Sequence, residues 1–176
     1  MDRIMTGTEP SYLYEYGMYG GKFFPLHKGH AYCIDRCCQE CEHPFIILFI
    51  NGTQERAYRP TEREAPYLTP EYRETQCRRY LQRYPHAVLK IIDVRELIDE
   101  NGDEDWLKEV DIIRTFIPRL DAIYGSEPCY SNFFKDNYPE AQNILVDVDR
   151  SAVPMSATKL RDMIENENEE WKEWII

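Results

Sequence analysis

Two histidines and two glycines lie close together in the segment GKFFPLHKGH, and this combination suits phosphate chemistry. His27 and His30 are three residues apart, so that around a helix entrance both rings can converge on one anion. Gly21 allows the backbone to approach a phosphate closely, and Gly29 removes a side chain where the helix begins. The segment therefore predicts an anion-binding turn at the N-terminus of a helix.

A second group with suitable chemistry is the segment Met155–Arg161 (MSATKLR), near the other end of the chain. Ser156 is a typical N-cap residue, and the free amide hydrogens of the helix that it begins attract phosphate. Arg161 projects from the second turn of this helix, where its guanidinium can bind phosphate oxygens. By itself the segment indicates only a capped helix, so its meaning depends on the first group.

Alternating strand and helix patterns surround both groups. The predicted strands are Tyr14–Tyr19, Phe45–Ile50, Val88–Val94, Ala122–Tyr124 and Ile144–Val148, and the predicted helices are His30–Cys41, Thr69–Tyr84, Asp105–Ile117, Ser131–Asn137 and Ser156–Ile164, with an amphipathic piece over Glu170–Ile176. This alternation predicts an α/β fold, a Rossmann-like parallel sheet with helices on both faces, in a single domain over residues 1–176. Ligands of such sheets bind where the strand order reverses, at the carboxyl ends of the strands.

Composition limits the classes of partner. The formal net charge of −11 argues against broad nucleic-acid binding, which needs a basic surface, but a local pocket for an anionic small molecule remains compatible with it. The sequence has neither an apolar run long enough to span a membrane nor a signal-peptide pattern. We therefore expect a cytoplasmic protein that contacts neither nucleic acid nor membrane.

Four cysteines crowd into the first predicted helix and its end. A metal cluster is one interpretation, and packing as small apolar side chains, with Cys33, Cys37 and Cys41 four residues apart, is the other. The spacing matches no familiar zinc or iron–sulfur signature, which favours packing.

Predictions can also be made for a polar segment and for a group of arginines. Thr53–Leu68 is long and polar, and either covers the site as a mobile loop or is a surface excursion. The arginines Arg73, Arg78, Arg79 and Arg83 are expected to form the solvated surface of one helix.

The two phosphate-binding segments resemble the signatures of a known superfamily. Gly21–His30 fits the pattern G-x-F-x-P-x-H-x-G-H of the H-x-G-H nucleotidyltransferases, and Met155–Arg161 fits their I-S-x-T-x-[IL]-R, with Met155 in place of the isoleucine. A narrower resemblance, to the nicotinamide mononucleotide (NMN) adenylyltransferase domain of NadR-type bifunctional proteins, rests on Tyr124–Pro128, Val146–Pro154 and Trp171–Ile175. The chain has no G-x-x-x-x-G-K-[ST] loop, so kinase activity is not implied. It is expected to be either a stand-alone transferase or a fragment.

The resemblance implies a reaction in which ATP and NMN give NAD and pyrophosphate. The acceptor phosphate attacks the α-phosphorus in line, and Mg²⁺ bridges phosphate oxygens. His27 and His30 are then expected to bind the triphosphate, with His30 next to the α-phosphate. Ser156, Thr158 and Arg161 are expected to hold the β- and γ-phosphates.

The nucleotide is expected to contact further residues of the first motif. Phe23, Phe24 and the neighbouring backbone amides would hold it. Lys22 and Lys28 are candidate phosphate contacts, although each side chain can equally well be solvated. Because the oligomeric state varies within the superfamily, a monomer and a homo-oligomer both stay open.

Three residues are candidates for acceptor binding. Trp106 can stack on a nicotinamide ring or can fill an apolar core position on its helix. Glu127 follows the fourth strand and should lie near the crevice at the carboxyl ends of the strands. Arg150 either faces the nucleotide or pairs with Asp147 and Asp149.

Two alternatives stay open at this point. One is a cytidylyltransferase acting on a phosphorylated alcohol or a phosphonate, although Arg150–Thr158 departs from the R-T-x-G-[IV]-S-T-T pattern of many such enzymes. The other is a non-catalytic nucleotide sensor.

Overall fold

The computed structural model describes residues 11–57 and 65–176. Five parallel strands form one sheet in the order β3-β2-β1-β4-β5. Their bounds are Tyr14–Gly21 (β1), Cys41–Ile50 (β2), Val88–Asp93 (β3), Ala122–Gly125 (β4) and Gln142–Leu145 (β5). The chain moves outward from β1 to β3 and then returns to the other side of β1 for β4 and β5. The strand order therefore reverses between β1 and β4, which is where such a sheet forms a ligand crevice.

Seven described α-helices connect or follow these strands. They are Lys28–Glu40 (α1), Thr53–Ala57 (α2), Ala65–Leu68 (α3), Pro70–Leu81 (α4), Trp106–Phe116 (α5), Ser131–Asn137 (α6) and Ala157–Glu165 (α7). Short 3₁₀ turns occupy Val94–Leu97, Pro128–Tyr130 and Glu169–Glu173. None of the described helices is long and apolar enough to cross a membrane.

Helices cover both faces of the sheet, as predicted. Because successive strand residues point to opposite faces, Ile46 packs with residues of α1 and α4, while its neighbour Ile47 packs with residues of α5. A third cluster joins α7 to the last 3₁₀ turn through Leu160 and Trp171. The α/β fold with a parallel sheet is thus confirmed.

Some predicted boundaries were wrong. The fifth strand ends at Leu145 instead of Val148, because Asp147 has a positive φ of 51° that cannot continue a strand. The stretch Thr53–Leu68 contains α2 and α3 at its two ends; its middle lies outside the described residues. The final amphipathic piece is a 3₁₀ turn over Glu169–Glu173.

The cysteines of the first helix are core residues. Cys33, Cys37, Cys38 and Cys41 are all buried among apolar side chains, which confirms the packing interpretation. Burial raises the pKa of Cys33 to about 11 and that of Cys38 to about 12, so these thiols stay protonated and unreactive near neutral pH.

Candidate active site

One cavity of about 530 Å³ lies at the carboxyl ends of β1 and β4, at the point where the strand order reverses. Every site residue predicted from the sequence except Lys28 lines this cavity. The residues concerned are Gly21, Lys22, Phe23, Phe24, His27, Gly29, His30, Trp106, Glu127, Arg150, Ser156, Thr158 and Arg161. Segments that are far apart in the sequence therefore meet at one site.

The two histidines are fixed by the start of α1. His27 is its N-cap, and the Nδ1 atom of His27 accepts a hydrogen bond from the backbone N–H of Gly29 (2.9 Å). In return the backbone N–H of His27 donates to Nδ1 of His30 (3.3 Å). The ring centroids are 3.8 Å apart. With Nδ1 accepting, the neutral ring of His27 carries its proton on Nε2. The ring of His30 also donates a hydrogen bond to the backbone carbonyl of Pro25.

Both histidines favour the neutral form. Burial, followed by the charge of Arg150, lowers the pKa of His27 to about 4. The pKa of His30 is lowered well below its ordinary value, by burial first and then by His27, Arg150 and Arg161. At neutral pH the pair is therefore uncharged, and the positive charge of the site comes from Lys22, Arg150 and Arg161.

The motif glycines make room for side chains. A Cβ atom on Gly29 would lie 2.7 Å from Cε1 of His27, and one on Gly21 would lie 2.7 Å from the ring of Phe23. Phe23 itself has a φ of 47° and a buried ring that meets His30 edge-on, with centroids 5.0 Å apart. The ring of Phe23 thus supports His30 from the core, and the turn depends on both glycines.

The second motif is joined directly to the first. Ser156 caps α7, with its Oγ accepting from the N–H of Lys159 (3.1 Å). Arg161 is buried and donates from Nη1 to the carbonyl of Phe24 (2.6 Å) and from Nη2 to Oγ1 of Thr158 (3.3 Å). Its guanidinium therefore connects α7 to the turn that carries the histidines.

Arg150 faces the site. Its Nη1 donates to the carbonyl of Met155 (2.7 Å), and its charge acts on both histidines. The carboxylate of Asp147 instead accepts the backbone N–H groups of Ala152 and Val153, each at 2.8 Å, and shapes the turn before α7.

An aromatic wall forms another part of the cavity. Trp106, at the start of α5, is 41% exposed and so is not a core residue. Its ring contacts those of Tyr130 and Phe133, at centroid distances of 5.7 and 5.3 Å. An exposed tryptophan backed by other rings is suited to stacking on a flat ligand.

Acidic side chains that the sequence analysis missed accompany this wall. Glu109 follows Trp106 by three residues on α5, and both Glu109 and Glu104 line the cavity. Burial and then the charge of Glu104 raise the pKa of Glu109 to about 7, against a lowering effect of Lys22. The helical spacing from Trp106 was the available signal for Glu109, since residues three apart share a helix face.

Lys28 is the predicted site residue that lies elsewhere. Its side chain is exposed and its Nζ lies 5.7 Å from the ring centroid of Trp174, near the end of the chain. The first turn of α1 rotates residue 28 away from the cavity that His27 and His30 face.

Within residues 11–57 and 65–176 there is no group of three or more His, Cys, Asp or Glu side chains arranged to hold a metal ion.

Comparison with known proteins agrees with this geometry. The family model for cytidylyltransferase-like proteins matches residues 18–163. The chain therefore belongs to the cytidylyltransferase-like family and is a nucleotidyltransferase.

Two curated proteins illustrate the relationship. The chain is similar to the trifunctional NAD biosynthesis/regulator protein NadR of Escherichia coli (strain K12), with 28% identity over 154 residues, 83% of this chain and 36% of NadR. It is also similar to the nicotinamide-nucleotide adenylyltransferase of Methanospirillum hungatei JF-1, with 26% identity over 147 residues, 84% of this chain and 75% of that protein. The chain thus spans about a third of NadR in length.

The fold is shared with solved structures. A crystal structure of NadR protein in complex with NR matches with a TM-score of 0.61 at 23% identity, over 94% of this chain and 44% of that chain. A bifunctional NMN adenylyltransferase/ADP ribose pyrophosphatase from Francisella tularensis matches with a TM-score of 0.63 at 19% identity, over 92% and 47%. At these identities the likeness shows the fold.

Proposed function

We propose that the protein is a nicotinamide-nucleotide adenylyltransferase, which joins ATP and NMN to give NAD and pyrophosphate. The observation that carries the proposal is that one cavity brings His27, His30, Ser156 and Arg161, the residues we expect to bind phosphate, together with the exposed ring of Trp106. A dinucleotide-forming enzyme needs both, since it must hold a triphosphate and a flat acceptor ring together.

The reaction needs little proton transfer from the protein. An oxygen of the acceptor phosphate forms a bond to the α-phosphorus of ATP, the bond from that phosphorus to the bridging oxygen breaks, and pyrophosphate leaves. The acceptor is already an anion, so catalysis consists of positioning and of stabilising charge in the transition state. The neutral ring of His27, with its Nε2–H donor, and the neighbouring ring of His30 are suited to this work.

We assign roles within the cavity accordingly. His30, with His27 beside it, donates to the α-phosphate, while Ser156, Thr158 and Arg161 bind the phosphates that leave. Mg²⁺, carried by the phosphates, would neutralise part of their charge. Arg150 and Lys22 supply the remaining positive charge near the phosphates.

The aromatic end favours a nicotinamide acceptor. NMN has a cationic pyridinium ring and a neutral carboxamide, and a ring of this kind suits Trp106 flanked by Glu104 and Glu109. Nicotinate mononucleotide carries an additional carboxylate, which Glu104 would repel, as would Glu109 in its ionised form. The M. hungatei relative, which is named for the nicotinamide nucleotide, supports the same acceptor.

A panel of substrates tests this function. Purified protein with Mg²⁺ is given ATP or CTP, each with NMN, nicotinate mononucleotide, or a phosphorylated alcohol, and products are separated by chromatography. The proposal expects product chiefly from ATP with NMN. Product chiefly from CTP with the alcohol would instead establish a cytidylyltransferase, and nucleotide binding without product from any acceptor would indicate a sensor.

A further inference from the structure

Arg73 departs most sharply from what the sequence predicts. It lies on α4 among arginines that should be solvated, yet it is 0% exposed. Its Nη1 donates to the carbonyl of Lys22 (2.5 Å), its Nε donates to the carbonyl of Leu68 (3.1 Å), and its Nη2 pairs with Oε2 of Glu55 (2.6 Å). We call the segment Gly21–His30, which is proposed to bind phosphate, the phosphate turn. The side chain of Arg73 therefore joins the phosphate turn to α2 and to the end of α3.

Such an arrangement is not explained by stability alone. Burying a guanidinium and a carboxylate carries a desolvation penalty that their attraction often fails to exceed, and apolar replacements of similar volume are commonly neutral or stabilising. The side chain of Glu55 is only 8% exposed, so both charges of the pair are removed from water. What the pair supplies is geometry, because a guanidinium directs its donors in fixed directions.

That geometry acts on the phosphate turn. The carbonyl of Lys22 points to Arg73, which is not among the residues that line the cavity. The ring of Phe24 contacts two guanidinium groups, with Cζ of Arg73 at 5.2 Å and Cζ of Arg161 at 5.3 Å from its centroid. Arg161 in turn holds the Phe24 carbonyl. The turn is thus held by side chains from both α4 and α7.

We propose that Arg73, held by Glu55, is a positioning residue for nucleotide binding. By directing the Lys22 carbonyl away from the cavity, it keeps this negatively polarised oxygen away from the triphosphate and leaves the Lys22 side chain in position to bind it. This inference rests on the proposed use of the turn for phosphate binding. It gives Arg73 a role in which it never contacts substrate.

The test separates positioning from simple packing. Arg73→Met, Arg73→Lys and Glu55→Gln are compared with Arg78→Met, which removes an exposed arginine from the same helix. Binding of ATP and of pyrophosphate is measured by calorimetry on the folded proteins, alongside the KM for ATP, the KM for NMN, kcat and Tm.

The proposal expects a split between the two substrates. Arg73→Met should weaken ATP and pyrophosphate binding by about tenfold to a hundredfold, as small misplacements in a site do, and should leave the KM for NMN within about twofold. Arg73→Lys should recover Tm, because its ammonium still pairs with Glu55, but not ATP affinity, because it cannot reach the carbonyls together. Arg78→Met should behave like wild type.

Normal nucleotide binding in the folded variants would contradict the proposal. If Arg73→Met lowers Tm but its folded molecules bind ATP and pyrophosphate normally, Arg73 is only structural and the proposal fails. If that variant does not fold, Glu55→Gln decides, since it keeps the side-chain shape and should still weaken binding several-fold. Because these titrations need no NAD formation, weak binding in the variants of a protein that forms no NAD would refute the proposed function while upholding the role of Arg73.

Discussion

The guanidinium of Arg161, on the last α-helix, donates a 2.6 Å hydrogen bond to the backbone carbonyl of Phe24, 137 residues earlier in the chain. The two halves of the nucleotidyltransferase signature are therefore one structural unit. A phosphate that binds Arg161 would therefore affect the position of the turn that carries His27 and His30.

Replacing Arg161 by lysine should separate charge from geometry. Lysine keeps the positive charge but cannot bind the Phe24 carbonyl and a phosphate at once, so kcat/KM for ATP should fall about tenfold to a hundredfold, the value of one or two charge-assisted hydrogen bonds. Steady-state kinetics with ATP varied provides the measurement. Lys159→Met, at an exposed position on the same helix, is the control, and an equal loss in that variant would contradict the role.

His30 is expected to act on the transition state. His30→Ala should lower kcat by about a hundredfold to a thousandfold, the typical cost of removing one preorganised donor, with a smaller change in ATP affinity. The comparison of kcat with the Kd for ATP checks this. A normal kcat combined with a raised KM would show that His30 contributes only to binding.

Replacing Trp106 should weaken the binding of the acceptor and leave the binding of the nucleotide unchanged. Trp106→Ala should raise the KM for NMN by about twofold to tenfold, the value of one aromatic stacking contact, while the KM for ATP stays constant. Leu107→Ala is a matched control, because Leu107 is adjacent, 62% exposed and outside the cavity lining. An unchanged KM for NMN in the Trp106 variant would remove Trp106 from the acceptor site.

The raised pKa of Glu109 predicts that the stability of the protein depends on pH. Its pKa in the folded protein is raised from the ordinary value of 4.5 to about 7, mainly by burial, so ionisation disfavours the folded state. Relative to Glu109→Gln, the wild type should lose stability as pH rises from about 4.5 through about 7 and should keep that deficit above pH 7. Chemical denaturation at pH 5 and pH 8 measures the difference. A pH-independent difference between the wild type and Glu109→Gln would contradict the assignment.

Local patterns were sufficient to predict the parts of the fold that follow from periodicity and capping. Thr69 caps α4 and Asp105 caps α5 through their own side chains, and the apolar run Phe45–Ile50 forms the C-terminal part of β2. The fifth strand was overextended because nothing in its apolar residues signals the turn at Asp147. That turn is stabilised by hydrogen bonds to backbone groups five and six residues later.

The candidate site likewise contains residues that could be predicted from the sequence and residues that could not. The first motif could be predicted from its histidines and glycines at a strand-to-helix turn, whereas the second took its meaning from the family resemblance. The helix entrance explains why Gly29 must lack a side chain. Arg73 could not be distinguished from Arg78, because the two differ only in which face of α4 meets the phosphate turn. That difference depends on tertiary packing between α4, α2 and β1, which no local pattern records.

The most direct test of the central claim is a paired time course of NAD and pyrophosphate formation from ATP and NMN with Mg²⁺. Wild type and His30→Ala are purified identically, so that a contaminating enzyme would appear in both. The account predicts equal molar amounts of NAD and pyrophosphate from the wild type, at a rate about a hundredfold above that of the variant. Absence of NAD from the wild type, or equal rates in the two proteins, would contradict it.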